Sequence, residues 1–155
     1  ETLEFKETLS LDTKKQTKEK YIESEVLKTI AGFINSEGGV LLIGVKDDGT
    51  ISGIDHEAHK LYSGNTNKEK LVYLDGLLRH LGNKLKHSVG MEFYAYFSFN
   101  RIECNDLSII KVKCRKQIKG NGCFIDNEFY VRKGASTEKL EGSALINYIQ
   151  EHFNH

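Results

Sequence analysis

The chain has 155 residues, a length typical of one domain, and 39% of them are hydrophobic, which is enough for a buried core. Lys and Arg together number 22, as do Asp and Glu, so a polyanion-binding surface would require local clustering of the cations. No apolar run approaches the roughly 18 residues of a membrane-spanning helix, and no signal-peptide pattern stands at the start.

The cysteines and the first residue bear on the class of protein. Cys104, Cys114 and Cys123 are odd in number and far apart, without a C-x-x-C pair, which predicts reduced thiols rather than a zinc site. Reduced thiols favour a cytoplasmic location. The sequence begins with Glu1 instead of Met, and we expect residues 1–155 to be one domain excised from a longer chain.

The first half of the chain is predicted to place strands around one amphipathic helix. Alternating apolar residues predict a strand over 3–9, and apolar residues at helical spacing predict a helix over 20–35. Residues 40–45 are apolar on both faces, which predicts a central strand covered on each side. Asp48 and Gly49 are a hairpin-turn signal, so a return strand is expected after them.

The second half is predicted to be richer in strands. The predicted elements are a loop with a short helical piece at 56–67, a leucine-rich helix at 68–86, strands at 91–99 and 107–115, two strands flanking a turn at 126–127, and a closing helix at about 142–153. This order predicts a single α+β domain in which a mixed sheet is packed by about three helices.

Acidic residues near two predicted strands form a candidate metal site. Glu4 and Lys6 are two residues apart in a strand and share a face, and Asp47 follows the predicted central strand. Carboxylates hold Mg²⁺ or Mn²⁺, and a nearby lysine suits a metal-dependent phosphodiesterase. The alternative is an exposed ion pair between Glu4 and Lys6, with simple turn chemistry at Asp47 and Asp48.

Residues 111–119 hold the densest positive charge, with five cations and no acid. On a strand, Lys111, Lys113 and Arg115 would share one face while Val112 and Cys114 face the core. A row of cations about 7 Å apart is suited to the phosphates of a nucleic-acid strand. The alternative is a solubilising face that protects a sheet edge.

A second candidate for phosphate binding lies at 132–137. Arg132, Lys133, Ser136 and Thr137 surround a glycine at the end of a predicted strand. Such a loop can hold a phosphate through backbone N–H groups and side chains. The alternative is a turn that Ser136 or Thr137 caps locally.

Aromatic residues and histidines give weaker signals. Tyr94, Tyr96 and Tyr130 would stack on bases if exposed, and would otherwise pack against neighbouring elements. The histidines show no metal-ligand spacing.

Three segments together resemble one family. Glu4-Phe5-Lys6, the helix-turn-strand segment 31–54 and the segment 129–137 resemble, in this order, the AlbA-like domain of the Schlafen group. The resemblance extends from Glu1 to about Phe153. It implies an α+β AlbA-like fold and an association with DNA or RNA. Relatives are described as DNA-binding or transcription-regulator-like, and some are labelled ATP-binding.

The resemblance also implies a nuclease alternative. Some Schlafen proteins are thought to cut structured RNA with three acidic residues. By motif, Glu4 matches one of them and Asp47 is the match for the downstream aspartate, while Glu1 is the only candidate for the third. Lys46 stands where many relatives carry an acid.

The sequence therefore predicts a nucleic-acid-binding domain of a transcription-regulator-like protein, with no cofactor firmly implied. The predicted phosphate-binding residues are Lys111, Lys113, Arg115, Lys119, Arg132, Lys133, Ser136 and Thr137. One alternative is a metal-dependent endoribonuclease with Glu4 and Asp47 as Mg²⁺ or Mn²⁺ ligands and Lys6 assisting. Another is a regulatory or dimerisation module that acts as a homodimer.

Overall fold

The computed structural model describes residues 2–64 and 69–153, and this part of the chain folds into nine strands, four α-helices and one 3-10 helix. The strands are β1 (Leu3–Lys6), β2 (Leu11–Asp12), β3 (Thr17–Lys18), β4 (Gly39–Ile43), β5 (Phe97–Cys104), β6 (Leu107–Cys114), β7 (Phe124–Ile125), β8 (Glu128–Lys133) and β9 (Ser136–Leu140). The helices are α1 (Lys20–Ile34), α2 (Asp55–Tyr62), α3 (Lys70–Ser88) and α4 (Gly142–Phe153), with a 3-10 helix over Met91–Tyr96.

The main sheet has the strand order β1-β4-β6-β5. β1 runs parallel to β4, whereas β4 with β6 and β6 with β5 are antiparallel pairs. The apolar sequence of β4 explains its internal position, because a strand between two others has little contact with water. The predicted α+β domain with a mixed sheet is confirmed, although the described residues form five helical segments rather than about three.

The two faces of the main sheet differ. Leu41, Ile43 and Val112 are fully buried on one face, where they join a core cluster with apolar side chains of α1 and α3. The other face is only partly covered, since Leu42 is half-buried and Leu3 is 53% exposed. The prediction that the central strand is covered on each side holds fully for the first face and in part for this second face, where Val40 of β4 is only 7% exposed.

A second sheet, β7-β8-β9, packs against α1. Asp126 and Asn127 both have positive φ values, 50° and 64°, as a two-residue hairpin turn requires, and the predicted turn is confirmed. Phe129 and Val131 of β8 form a small cluster with Phe153 of α4, which is the predicted closing helix.

The end of α1 joins the two sheets through Asn35. Its side-chain Nδ2 donates to the backbone oxygens of Cys123 and Tyr130, both at 2.8 Å, and its Oδ1 accepts from the Cys123 N–H at 2.7 Å. Ser36 Oγ accepts from the Arg132 N–H at 2.9 Å. The residues that end α1 therefore hold the second sheet in place.

Two glycines allow β4 to start directly after this junction. A Cβ at Gly39 would lie 2.6 Å from the ring of Phe33, and a Cβ at Gly38 would lie 2.7 Å from the Cys114 oxygen. Gly38 also has a φ of +76°, which other residues rarely adopt. The turn can therefore be this tight only because both residues lack side chains.

Glu57 of α2 is a buried acid that the sequence did not single out. It is 2% exposed, and its carboxylate accepts from the N–H groups of Leu9, Ser10 and Leu11 at 2.7–3.2 Å. Burial raises the pKa of Glu57, and these hydrogen bonds oppose that shift. The side chain thus fixes the path of the chain between β1 and β2.

Several predicted elements differ from the observed ones. The expected strand over 3–9 ends at Lys6, and the expected return strand after Gly49 is a single bridge between Val45 and Ile51. The return strand is short because the Gly44 oxygen accepts hydrogen bonds from the N–H groups of both Ser52 and Gly53, which ends the strand pairing after Ile51.

The alternating apolar and polar residues over 91–99 predicted a strand, but only the last residues of this segment form one. Residues 91–96 form the 3-10 helix, and the strand begins at Phe97. Phe93 is buried in the core cluster beside Val89, so tertiary packing overrides the strand pattern. The short helical piece predicted within 56–67 is confirmed as α2, which begins at Asp55, and residues 65–67 lie outside the described part of the chain.

Replacing Asn35 with Ala should destabilise the fold. The change leaves the buried N–H and oxygen of Cys123 and the oxygen of Tyr130 without their partner. We expect the free energy of unfolding to fall by about 2–4 kcal/mol in chemical denaturation. Asn147→Ala, at an exposed position of α4, is the matched control and should change it by less than about 0.5 kcal/mol. Equal effects of the two variants would contradict the role of Asn35.

Candidate nucleic-acid interface

Among the described residues, the half-exposed face of the main sheet, here called the open face, carries cations and no acidic side chain. The strand registers place the residues 3, 5, 40, 42, 98, 100, 102, 104, 107, 109, 111 and 113 on this face. Lys111 and Lys113 are its two charged members, whereas the acidic residues of the same strands, Glu4 and Glu103, lie on the opposite face. The acidic side chains of these strands thus lie on one face, together with Lys6 and Arg101, while the charged side chains of the open face are both lysines.

Polar and apolar side chains surround the two lysines. Lys113 lies between Val40 and Ser98, and Lys111 lies between Leu42 and Asn100. A shallow concavity of about 450 Å³ beside Lys111 is lined by Thr2, Leu3, Val40, Leu42, Ile102 and Ile109. Within residues 2–64 and 69–153, neither lysine forms an ion pair, so both ammonium groups are available to an anion.

The strand β6 is internal to the sheet, with β4 on one side and β5 on the other. The sequence-based alternative, in which this basic strand protects a sheet edge, is therefore wrong. The predicted alternation is confirmed, because Val112 and Cys114 are buried while Lys113 is exposed. Protection of a sheet edge therefore does not explain the positive charge of β6.

Three further cations follow β6. Arg115 donates through Nε to the Ala95 oxygen at 3.1 Å, and its guanidinium lies 5.9 Å from the centre of the Tyr96 ring. Lys116 forms an ion pair with Glu37 at 3.2 Å, which reduces its value for a phosphate. Lys119 is exposed, and like Arg115 it is without an ion pair among the described residues.

Arg132 has a different environment from the one predicted. Its side chain is 6% exposed, and its Nη2 forms an ion pair with Glu4 Oε1 at 3.0 Å. Its Nη1 donates to Thr137 Oγ1 at 2.8 Å, and its guanidinium lies 5.0 Å from the centre of the Phe33 ring. Arg132 and Thr137 therefore connect the second sheet to β1 and α1 inside the fold, which corrects their assignment to a phosphate-binding loop.

The segment 132–137 is the turn of the β8–β9 hairpin. Lys133 pairs with Ser136 in the strand register, and Ser136 Oγ donates to the Lys133 oxygen at 3.1 Å. Lys133 also forms an exposed ion pair with Glu138 at 3.6 Å. These contacts favour the alternative of a turn in which Ser136 makes a local hydrogen bond, and the acidic partner of Lys133 reduces the value of this lysine for a phosphate.

Comparisons with known proteins decide the family. A family model described as "Schlafen, AlbA_2" matches residues 1–141. The chain belongs to the Schlafen AlbA_2 family. A solved structure, the DIP2311 protein from Corynebacterium diphtheriae, is similar over 99% of this chain with a TM-score of 0.63 and 13% identity. The chain spans 27% of that protein's length, and the likeness shows the fold alone.

The three segments that carry the family resemblance lie close together in the structure. The turn after α1, the Glu4 strand and the β8–β9 hairpin meet around the ion pair of Arg132 with Glu4 and the hydrogen bonds of Asn35. These segments therefore build the junction between the two sheets. In the described part of the chain, no helix combines the length and apolar character needed to cross a membrane.

The predicted acidic site of the nuclease alternative does not fit a divalent metal ion as it stands. Glu4 is engaged by the Arg132 cation, which opposes a second positive charge at that carboxylate. Glu4 pairs with Leu41 in the register, six residues before the exposed Asp47. Residues 2–64 and 69–153 contain no group of three or more His, Cys, Asp or Glu side chains that could hold a metal ion. Glu1 lies outside the described residues.

Lys6 and the lysines of β6 lie on opposite faces of the sheet. Lys6 shares the face of Glu4, where it lines a concavity of about 410 Å³ with Asp12, Lys14 and Tyr21. The proposed catalytic group and the basic strand are therefore separated by the sheet, and we derive no catalytic step from them.

The thiols are consistent with a structural role. Burial raises the pKa of both Cys114 and Cys123 to about 12, so neither is a thiolate at neutral pH. Cys104 is half-buried on the open face. All three are free.

The ion pair of Arg132 with Glu4 should be measurable in a double-mutant cycle. Glu4→Gln, Arg132→Met and the double variant should give a coupling of about 1–3 kcal/mol in the free energy of unfolding, because the pair is largely shielded from water. The same cycle on Lys133 and Glu138, an exposed pair of the same hairpin, should give less than about 0.5 kcal/mol. Similar couplings for the two pairs would refute the structural role of Arg132.

The nuclease alternative has a separate assay. Incubating the chain with tRNA and Mn²⁺ should give no cleavage above a buffer control, since the Arg132 guanidinium engages the Glu4 carboxylate. Cleavage that disappears in Glu4→Ala with Asp47→Ala would contradict this expectation and restore the predicted acidic site.

Proposed function

We propose that this AlbA_2 chain is a nucleic-acid-binding domain of a transcription-regulator-like protein, and that it contacts phosphates with the open face of its main sheet. The observation that carries the proposal is the separation of charge across the sheet. Lys111 and Lys113 lie on a face where residues 2–64 and 69–153 place no acidic side chain. A polyanion would meet positive charge there without repulsion from neighbouring carboxylates.

The spacing of these cations supports contact with consecutive phosphates. Lys111 and Lys113 are two residues apart in one strand, which separates their Cα atoms by about 7 Å. Arg115 continues the row beyond the end of β6, and Lys119 lies further along the same segment. Each neutralised phosphate releases counterions, so several such contacts give a binding energy that depends steeply on salt.

Hydrogen-bonding groups next to the lysines support the same proposal. Ser98 and Asn100 of β5 are exposed and lie directly opposite Lys113 and Lys111. Hydroxyl and amide groups of this kind donate to phosphate oxygens and fix the position of the backbone. Contacts to phosphates carry no sequence information, so we expect similar affinities for sequences of equal length.

The salt dependence of binding tests the proposal. Fluorescence anisotropy with labelled DNA and RNA should show that log affinity falls linearly with log salt. Lys111→Ala with Lys113→Ala should weaken binding to every sequence and reduce the magnitude of that slope by about 1.5–2, since two phosphate contacts are lost.

Lys60→Ala with Lys15→Ala is the matched control, because it removes the same charge at two exposed lysines outside the open face. This control should leave the slope unchanged. Absence of binding at low salt would refute the proposed function, and equal losses in the two double variants would refute the assignment to the open face.

A further inference from the structure

A groove on the other side of β5 is lined mainly by apolar and aromatic side chains. It has a volume of about 630 Å³ and lies between α3 and β5, the edge strand of the main sheet. Its apolar lining consists of Leu78, Tyr94, Phe97 and Phe99. Tyr94 is 44% exposed, and its ring meets the Phe97 ring edge-on at 5.5 Å between centres. A flat apolar group can therefore enter the groove and contact Tyr94.

The charged residues of this groove are all cations. Arg79, Asn83 and Lys86 of α3 are exposed and line one side, and none of the described acidic residues lines the groove. Among the described residues neither Arg79 nor Lys86 forms an ion pair. An occupant of the groove should therefore combine flat apolar parts with negative charge.

The groove is continuous with the cations of the open face. A smaller concavity of about 200 Å³ is lined by Ala95, Tyr96, Phe97, Ser98, Lys113 and Arg115. It shares Phe97 and Ser98 with the groove. Cations thus stand on both sides of the first residues of β5, and one flexible chain could contact both.

We propose that the ligand is single-stranded nucleic acid, whose phosphates follow Lys113 and Arg115 around the edge of the sheet and whose unpaired bases enter the groove against Tyr94 and Phe97. Bases supply flat apolar surfaces and the backbone supplies the negative charge, which matches both sides of the groove. In a duplex the bases are paired and stacked inside, so they cannot reach it. This inference rests on the proposed function and specifies its substrate.

The test compares a single-stranded DNA homopolymer with a duplex of equal length at the same salt concentration. The intact chain should bind the single strand at least about tenfold more tightly. Tyr94→Ala should weaken single-strand binding roughly 5–100-fold, the range for one lost base–aromatic contact, and leave duplex binding unchanged. Tyr94→Phe keeps the ring and should stay within about twofold of the intact chain.

A 2-aminopurine base in the strand gives a second readout, because its fluorescence is quenched when it stacks on an aromatic ring. Quenching should occur with the intact chain and with Tyr94→Phe, and should be lost with Tyr94→Ala. Tyr21→Ala is the matched control, since Tyr21 is 59% exposed and lies outside the groove. It should change neither affinity nor quenching, and the melting temperature of each variant verifies that it is folded.

The outcomes separate this inference from the proposed function. If the Lys111 and Lys113 variant loses affinity for single strand and duplex alike while Tyr94→Ala changes nothing, the inference is overturned and the proposed function stands. No binding of any nucleic acid at low salt overturns both. A dimer in analytical ultracentrifugation that Tyr94→Ala dissociates would assign the groove to a protein contact and overturn the inference.

Discussion

The hydrogen bonds of Asn35 are the constraint on which the rest of the structure depends. A buried amide must satisfy both its donors and its acceptor, and Asn35 does so on the backbone of Cys123 and Tyr130. Because Gly38 and Gly39 follow within a few residues, the chain enters β4 while still in contact with α1. The end of one helix thereby sets the position of both sheets, and the second sheet packs on α1 rather than on the open face.

This arrangement determines which charges reach the solvent. Arg132 points from the second sheet towards Glu4 and is neutralised inside the fold, while Lys111 and Lys113 point away from α1 and keep their charge on the open face. One cation of the second sheet thus stabilises the fold, whereas the two lysines of the main sheet are available to a polyanion. Zero net charge is compatible with nucleic-acid binding only because the acids of these strands lie on the opposite face.

Local sequence patterns predicted the elements whose own residues determine them. The helix over 20–35, the turn at Asp126 and Asn127 and the face of Lys111 and Lys113 follow from periodicity and turn chemistry. The errors arose where contacts from distant segments decide the structure. Residues 91–96 alternate like a strand but form a 3-10 helix because Phe93 enters the core. Arg132 was predicted to bind phosphate because its actual partner, Glu4, is 128 residues away and could not be recognised from the neighbouring sequence. No local pattern reports either contact.

Hydrogen–deuterium exchange of the backbone amides tests the account most directly, because it locates the bound surface without any substitution. The chain would be measured alone and with a saturating single-stranded homopolymer. The account predicts slower exchange in β5, β6 and residues 115–119, with unchanged exchange in β7, β8 and β9. Slower exchange confined to the β8–β9 hairpin, with β5 and β6 unaffected, would contradict the assignment of nucleic-acid binding to the open face.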